Sequence, residues 1–258
     1  MEKKLLKRSL SFAMMIAVVF STIIASSFIK ANAAETEKAV ALTQGENTSQ
    51  HDTVQEAVAA VAADNTQAVI TLNKDFEGAG AVVKKDQNIV FNLNGFTWNI
   101  NSLVGSSGTE TNGVQLLQGS TVTIENGTLT SKTAKLLIQN YCDLTIRNAT
   151  LSGQDNLTEI IVSNNNGSTV ITGNSAVQAA AGGIAFDSDK WGGYQGGNVT
   201  LENGQVIGNV NATNGGKISL NGGTVTGDVI ASNYTYQGNE KTPANIVIDG
   251  ATINGNVT

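Results

Sequence analysis

An eight-residue pattern recurs six times between residues 122 and 253, and it restricts the chain to a small set of folds. Its first, third and eighth positions are mostly aliphatic, its fifth position is Asn or Gly, and its sixth position is always small. The segments begin at Val122, Leu144, Val170, Val199, Ile218 and Ile246, and a shorter version begins at Phe91. A motif that returns at such short intervals indicates stacked coils.

Each position of the repeat has a physical reason. Aliphatic residues at the first and third positions, with a polar residue between them, form a strand with one face turned inward. Asn and Gly at the fifth position accept a left-handed backbone at low cost, and a small sixth residue fits a tight corner. The aliphatic eighth position begins the next inward-facing side. One repeat therefore predicts a strand, a sharp corner and a second strand.

The spacing of the repeats predicts how the strands connect. Successive repeats start 22, 26, 29, 19 and 28 residues apart, which is too short for a helix in every crossover and too irregular for hexapeptide coils. Because crossovers between parallel strands are nearly always right-handed, we predict an all-β fold, a right-handed single-stranded parallel β-helix over residues 53–258. Thr172 interrupts the aliphatic third position, so we expect a shifted or bulged repeat there. An antiparallel β-sandwich is the main alternative fold.

Residues 1–33 have the pattern of a secretory signal peptide. A basic start is followed by an apolar stretch over residues 10–28 and by Ala31-Asn32-Ala33, a small-x-small cleavage pattern. Retention as a membrane anchor is the alternative, because a span needs about 20 apolar residues. The pattern predicts a protein that is secreted or displayed at the cell surface.

The charge that remains after residue 33 argues against several partners. Residues 1–33 carry a net charge of +4, so the rest of the chain carries −6 − 4 = −10, with Arg147 as its one arginine. An acidic chain is a poor partner for nucleic acid or for anionic membranes. No Gly-rich loop is followed by Lys-Ser or Lys-Thr, so we expect no nucleotide.

The segment before the coils predicts a leader and a helix. Residues 34–52 are polar and irregular, and residues 45–52 have no apolar periodicity, which predicts a flexible leader. Thr53 and Glu56 form a capping-box pair, and aliphatic residues follow at helical spacing from Val54 to Val61. The pattern predicts a helix over residues 53–64.

This helix, the Asn92-Leu93-Asn94-Gly95 segment and the Gly-rich coils resemble the pectate-lyase-like superfamily of right-handed β-helices. They resemble more closely the short-coil adhesin-like proteins exported by Gram-positive bacteria. The resemblance covers most of residues 53–258 and rests on structural motifs, which specify fold better than activity. It implies that the helix caps the N-terminal end of the coils. It also implies acidic polysaccharides as substrates for catalytic members, with calcium-holding aspartates and an Arg or Lys base in lyases, and an aspartate cluster in hydrolases.

Two insertions hold the candidate ligand-binding residues. Residues 181–197 carry Asp187, Asp189, Lys190, Trp191 and Tyr194, and residues 232–245 carry Tyr234 and Tyr236. Aromatic rings on an exposed Gly-rich loop can stack on a sugar while carboxylates bind its hydroxyl groups. The alternative is that these rings pack back onto the coils. A calcium role for the two aspartates is a further alternative, although their spacing matches no dedicated calcium loop.

Other reactive residues predict no catalytic or metal site. His51, the only histidine, lies in the predicted leader, which leaves no Ser-His-Asp or Cys-His pair and no histidine-ligated zinc. Cys142 is expected to be a buried, inert thiol. Glu125 and Arg147 occupy equivalent repeat positions and are expected to pair across coils on a solvated face.

Three functions remain open on this basis. The first is an exported, adhesin-like, non-catalytic protein that binds glycan or extracellular matrix through the two insertions. The second is a polysaccharide lyase or glycoside hydrolase that acts on acidic polysaccharide with Asp187, Asp189 and Lys190. The third is a structural spacer of a larger surface protein. No sequence feature covers the last coil before Thr258, so either the natural protein continues beyond it or this coil is a surface for self-association.

Overall fold

The computed structural model describes residues 38–105, 110–153, 158–190, 194–232 and 242–258. Within these ranges the chain is nearly all β-structure, with one α-helix, α1 (Val54–Ala60). No helix in the described ranges is long and apolar enough to cross a membrane. The predicted signal peptide lies outside the described residues, as do Trp191, Tyr234 and Tyr236.

The strands after α1 form three faces, numbered in the order in which the chain visits them. Face 1 contains β3 (Gln67–Leu72), β6 (Asn88–Asn92), the first halves of β9 (Thr121–Ser131) and β11 (Asp143–Gly153), β13 (Asn166–Thr172), β16 (Gly196–Leu201), β19 (Lys217–Leu220) and β22 (Asn245–Ile248). Face 2 contains β4 (Phe76–Ala79), β7 (Thr97–Ser102), the second halves of β9 and β11, β14 (Ala176–Ala179), β17 (Gln205–Ile207), β20 (Thr224–Thr226) and β23 (Thr252–Asn254). Face 3 contains β5 (Ala81–Val83), β8 (Asn112–Leu116), β10 (Leu136–Asn140), β12 (Ile160–Asn164), β15 (Ile184–Ser188), β18 (Asn209–Thr213) and β21 (Val229–Ser232).

Neighbouring strands within each face are parallel and come from successive coils. This arrangement confirms the predicted all-β, parallel architecture and is compatible with a parallel β-helix. It excludes the antiparallel sandwich, because strands that follow one another along the chain lie in different faces or continue around a corner.

The interior of face 1 is an aliphatic column, as predicted, with a one-residue shift in one coil. Ile171, not Thr172, is in register with Ile146 in the preceding coil and with Leu201 in the next. Ile171 is fully buried, so the column is continuous. The shift also places Thr169 inside, where its side chain donates a hydrogen bond to Asn164 Oδ1 over 2.8 Å.

The left-handed corner occurs in every repeat, but not always at the predicted fifth position. Asn126, Asn148 and Gly250 adopt positive φ at that position, with angles of 58°, 51° and 97°. In the repeat from Val170 the positive φ falls one residue earlier, and in the repeats from Val199 and Ile218 it falls one residue later. In each of those three repeats a glycine occupies the actual corner, which has the lowest cost for this conformation.

The prediction of a flexible leader over residues 34–52 is wrong for residues 40–51, which form an antiparallel hairpin. Its strands are β1 (Val40–Gln44) and β2 (Asn47–His51), and β1 also pairs antiparallel with β3. The reason is a two-residue alternation that buries Val40 and Leu42 in the core.

Helix α1 begins as predicted and ends earlier than predicted. Thr53 is the N-cap, and its hydroxyl accepts a hydrogen bond from Glu56 N over 3.1 Å, while Glu56 Oε2 accepts from Asp52 N over 3.0 Å. The helix ends at Ala60, because Val61 leaves the helical conformation and is buried in the core. Val58 and the neighbouring buried side chains of α1 pack in the same core as face 1 and face 3.

Among the described residues, β22 is the last strand of face 1, and no strand pairs with its far side. Val247 and Ile248 on this strand are 49% and 40% exposed. Val257, which forms an isolated bridge to Val229, is 59% exposed. These three aliphatic side chains are the exposed ones among the last described strands.

Candidate functional site

A row of polar side chains runs across the outer surface of face 3. Its members, which hydrogen-bonded strand pairing places in register, are Gln115, Gln139, Ser163, Asp187 and Asn211. The next residue in each strand points inward and is buried, and Ser163 within the row is buried as well. A second row follows one residue beyond the strands, where Tyr141, Asn165 and Asp189 each donate a backbone N–H to a carbonyl of the preceding coil. The strands thus hold both rows at the spacing of the coils.

The carboxamide of Gln139 is fixed from both ends. Its Oε1 accepts hydrogen bonds from Asn112 Nδ2 over 2.8 Å and from Gln115 Nε2 over 2.9 Å. Its Nε2 donates to Tyr141 Oη over 2.8 Å. Because Tyr141 Oη is the acceptor in that bond, its own proton remains available for another acceptor.

Tyr141 and Tyr194 form an aromatic pair beside this network. Their ring centroids are 4.6 Å apart and their planes are tilted by 37°. Burial, together with the charges of Tyr194 and Asp189, raises the pKa of Tyr141 to about 12, against the hydrogen bond from Gln139. Tyr194 also lines an open depression of about 430 Å³ with Gln118, Asn166 and Gln195.

The carboxyl group of Asp189 lies near Tyr141, and that of Asp187 lies near Asp189. Burial and the nearby charge of Asp189 raise the pKa of Asp187 to about 6, although Thr213 Oγ1 donates a 3.4 Å hydrogen bond to it. Burial likewise raises the pKa of Asp189, whose carboxylate accepts a hydrogen bond from Asn165 Nδ2. The described residues form ion pairs between Lys38 and Asp52, Lys135 and Glu159, and Arg147 and Glu125, so no described cation neutralises either aspartate.

The predicted insertion over residues 181–197 is not a single loop. Residues 184–188 form β15, because Ala185 and Phe186 are apolar and buried, and Asp187 lies on this strand. The connection after β15 is held at its ends by bonds from Gly197 N to Asp189 O and from Lys190 N to Asn214 O, each of 3.1 Å.

The structure brings Asp187, Asp189 and Tyr194 together as predicted site residues and leaves Lys190 at the base of the same connection. The second insertion begins at the end of β21 and ends at the start of β22, and its tyrosines lie outside the described residues. Sequence reasoning missed Tyr141 and Gln139. The signal that could have found them is a constant interval, because the members of the first row are each 24 residues apart.

The other predicted side chains behave as expected. Arg147 is in register with Glu125, and Arg147 Nε donates to Glu125 Oε2 over 3.1 Å on the outer surface of face 1. Cys142 is buried, and burial raises the pKa of its thiol to about 12, which keeps it protonated and unreactive. No group of three or more His, Cys, Asp or Glu residues in the described ranges could hold a metal ion. A calcium role for the aspartates remains a prediction.

Comparisons of the chain with protein-family models, with curated proteins and with solved structures find no match. The site's own geometry therefore carries the functional argument.

Proposed function

We propose that this chain is an exported, non-catalytic β-helix protein that binds glycans on the outer surface of face 3. The observation that carries the proposal is the Tyr141–Tyr194 pair beside the fixed carboxamide of Gln139 and the carboxyl groups of Asp187 and Asp189. Aromatic rings stack on the apolar faces of sugars, and amides and carboxylates bind the hydroxyl groups.

The rigidity of the site supports glycan binding, as its composition does. Gln139 and Tyr141 stand on or directly after β10, and Asp187 stands on β15, so strand pairing sets their positions. Side chains held in this way lose little conformational entropy when a ligand binds. A loop that displayed the same groups alone would lose more.

The proposed protein has right-handed coils, a capping helix and a location outside the cell. The general preference for right-handed crossovers supports right-handed coils. The burial of Val54, Ala57 and Val58 against the first strands supports α1 as a cap. The signal-peptide pattern of residues 1–33 and the resemblance to adhesin-like exported proteins support a secreted or cell-surface location, with glycan or extracellular matrix as the partner.

A glycan array followed by calorimetric titration tests the binding function. Tyr194→Ala removes one ring from the pair and should weaken binding by about fivefold to 150-fold, the range that corresponds to the roughly 1–3 kcal/mol of a nucleobase stacked on an aromatic side chain. Glu202→Gln changes an exposed carboxylate after β16 and should leave the affinity unchanged. Absence of binding to any array glycan at millimolar concentration would refute the proposal.

The raised pKa of Asp187 favours a second candidate, a glycoside hydrolase. A carboxyl group that keeps its proton near pH 6 beside a second carboxyl group is the arrangement of a general acid and its partner. Incubation with polygalacturonate, alginate and neutral polysaccharides, with and without calcium, tests this candidate and the lyase alternative. If the wild type turns over a polysaccharide and Asp187→Asn abolishes that turnover, catalysis at this site is supported. If the turnover is unchanged in the variant, Asp187 is not the catalytic acid.

Self-association through the last coil is also part of the proposal. The exposed side chains of Val247, Ile248 and Val257 support it, because grouped exposed aliphatic side chains mark association surfaces. Sedimentation of the wild type and of Val247→Lys over a range of concentrations tests it. A wild type that stays monomeric would contradict it.

A further inference from the structure

We infer that the face 3 site selects glycans without acidic groups, and that Asp187 and Asp189 are the residues that exclude acidic polysaccharides. The inference rests on the proposed glycan-binding function and specifies its ligand class. Its basis is the position of these two carboxylates beside the Tyr141–Tyr194 pair and the Gln139 carboxamide. Among the described residues, no cation forms an ion pair with either carboxylate.

The position of the two side chains places them against a bound ligand. Asp187 lies in the row that contains Gln139 and Ser163, and Asp189 lies in the row that contains Tyr141. Tyr141 is buried and Tyr194 is half-buried, so a sugar would stack on Tyr194, close to Asp189 and to Asp187 beside it.

The hydrogen-bonding chemistry of the site fits hydroxyl groups better than carboxylates. An ionised aspartate only accepts hydrogen bonds, and a sugar hydroxyl can donate one to it, whereas a uronate carboxylate cannot. The amide oxygen of Gln139 already has two donors, and one of its two N–H bonds donates to Tyr141. The carboxylate oxygens of Asp187 and Asp189 can accept further hydrogen bonds, and these must come from donor groups of the ligand.

The charge balance points the same way. Lys190 is the cation nearest to the aspartates along the chain, but within the described residues it forms no ion pair with either one. Arg147 is paired with Glu125 on face 1. Two carboxylates against one lysine leave the site negative, so an anionic ligand is repelled, by about tenfold in affinity for each aspartate at partly desolvated separations of about 6 Å.

Matched ligands isolate the charge. Calorimetric titration would use cellotetraose, mannotetraose and galactotetraose, each beside the derivative whose primary hydroxyl groups are oxidised to carboxylates, at pH 7.5 and pH 5. The wild type should prefer the neutral member by about a hundredfold at pH 7.5. The preference should narrow at pH 5, where Asp187 with its pKa of about 6 is largely protonated while the ligand carboxylates stay ionised.

Variants separate this inference from the binding function. The double variant Asp187→Asn, Asp189→Asn should reduce the preference for neutral ligands at pH 7.5 by about a hundredfold while neutral ligands still bind, and Glu202→Gln should keep the wild-type preference. Acidic ligands that bind the wild type as tightly as their neutral partners would overturn the inference and leave the glycan-binding function standing. Failure of all neutral and acidic ligands to bind would instead refute the function, and the inference with it.

Discussion

Replacing Asp187 by asparagine should stabilise the protein at neutral and alkaline pH. In the folded protein the pKa of Asp187 is raised from 3.8 to about 6, because burial and the charge of Asp189 disfavour its ionised form. The folded state therefore binds this proton more tightly than the unfolded state, and stability is lost as the pH rises from about 4 through about 6. At about 1.4 kcal/mol for each pKa unit, ionisation of Asp187 costs up to about 3 kcal/mol at pH 8. The carboxamide of the variant would keep an acceptor for Thr213 Oγ1 without the charge.

Urea unfolding followed by circular dichroism at pH 4 and pH 8 measures this effect. At pH 8 the free energy of unfolding of Asp187→Asn should exceed that of the wild type by about 2–3 kcal/mol, and at pH 4 the two should agree within about 1 kcal/mol. Glu202→Gln, at an exposed carboxylate, should stay within about 0.5 kcal/mol of the wild type at both pH values. A variant that is less stable at pH 8, or that gains equally at both pH values, would show that Asp187 is not held in an unfavourable ionised state.

Two further substitutions test the fold. Ile171→Ala should lower the free energy of unfolding by about 2–5 kcal/mol, and Val170→Ala, on the outer surface, by less than about 1 kcal/mol; equal losses in denaturant titrations would contradict the one-residue shift. Gln87→Ala removes the amide that donates to Val58 O and Val61 O over 3.0 and 3.1 Å, and should cost about 1–3 kcal/mol. An unchanged melting curve for this variant would show that α1 is not secured by Gln87.

The repeat predicted the parallel coils because its pattern encodes the same local structure in successive coils, with shifts of one residue at most. An aliphatic residue at alternate positions and a small residue at the corner require the same strand–corner–strand path each time. The displaced corners at Gly173, Gly204 and Gly223 were harder to predict, because an Asn or a second Gly occupies the predicted position beside each and also tolerates the left-handed conformation. Tertiary register decides between them. The hairpin at residues 40–51 was not predicted from the sequence, because β2 is almost entirely exposed and has no apolar face.

The site was predicted only in part, for a similar reason. Asp187, Asp189 and Tyr194 are close in sequence and drew attention as one segment. Tyr141 lies more than forty residues before them, and only the stacking of β10, β12 and β15 brings it beside Tyr194. A loop can be recognised from its local composition. A surface to which several coils contribute can be recognised only when the register of the strands is known.

The register also explains why the site lies in this coil. From Ser163 to the interior Ile171 of the next coil the chain takes eight residues, whereas from Asp187 to the interior Leu201 it takes fourteen. The following segment compensates, because sixteen residues connect Ile171 to Asp187 but only ten connect Leu201 to Asn211. The interval on face 3 therefore stays at 24 residues, and the extra length moves to the corner directly after Asp187. The longer connection after Asp187 places Tyr194 against the polar row of face 3. The aromatic pair with Tyr141 therefore forms in this coil, because the connection is longer while the register of the strands stays the same.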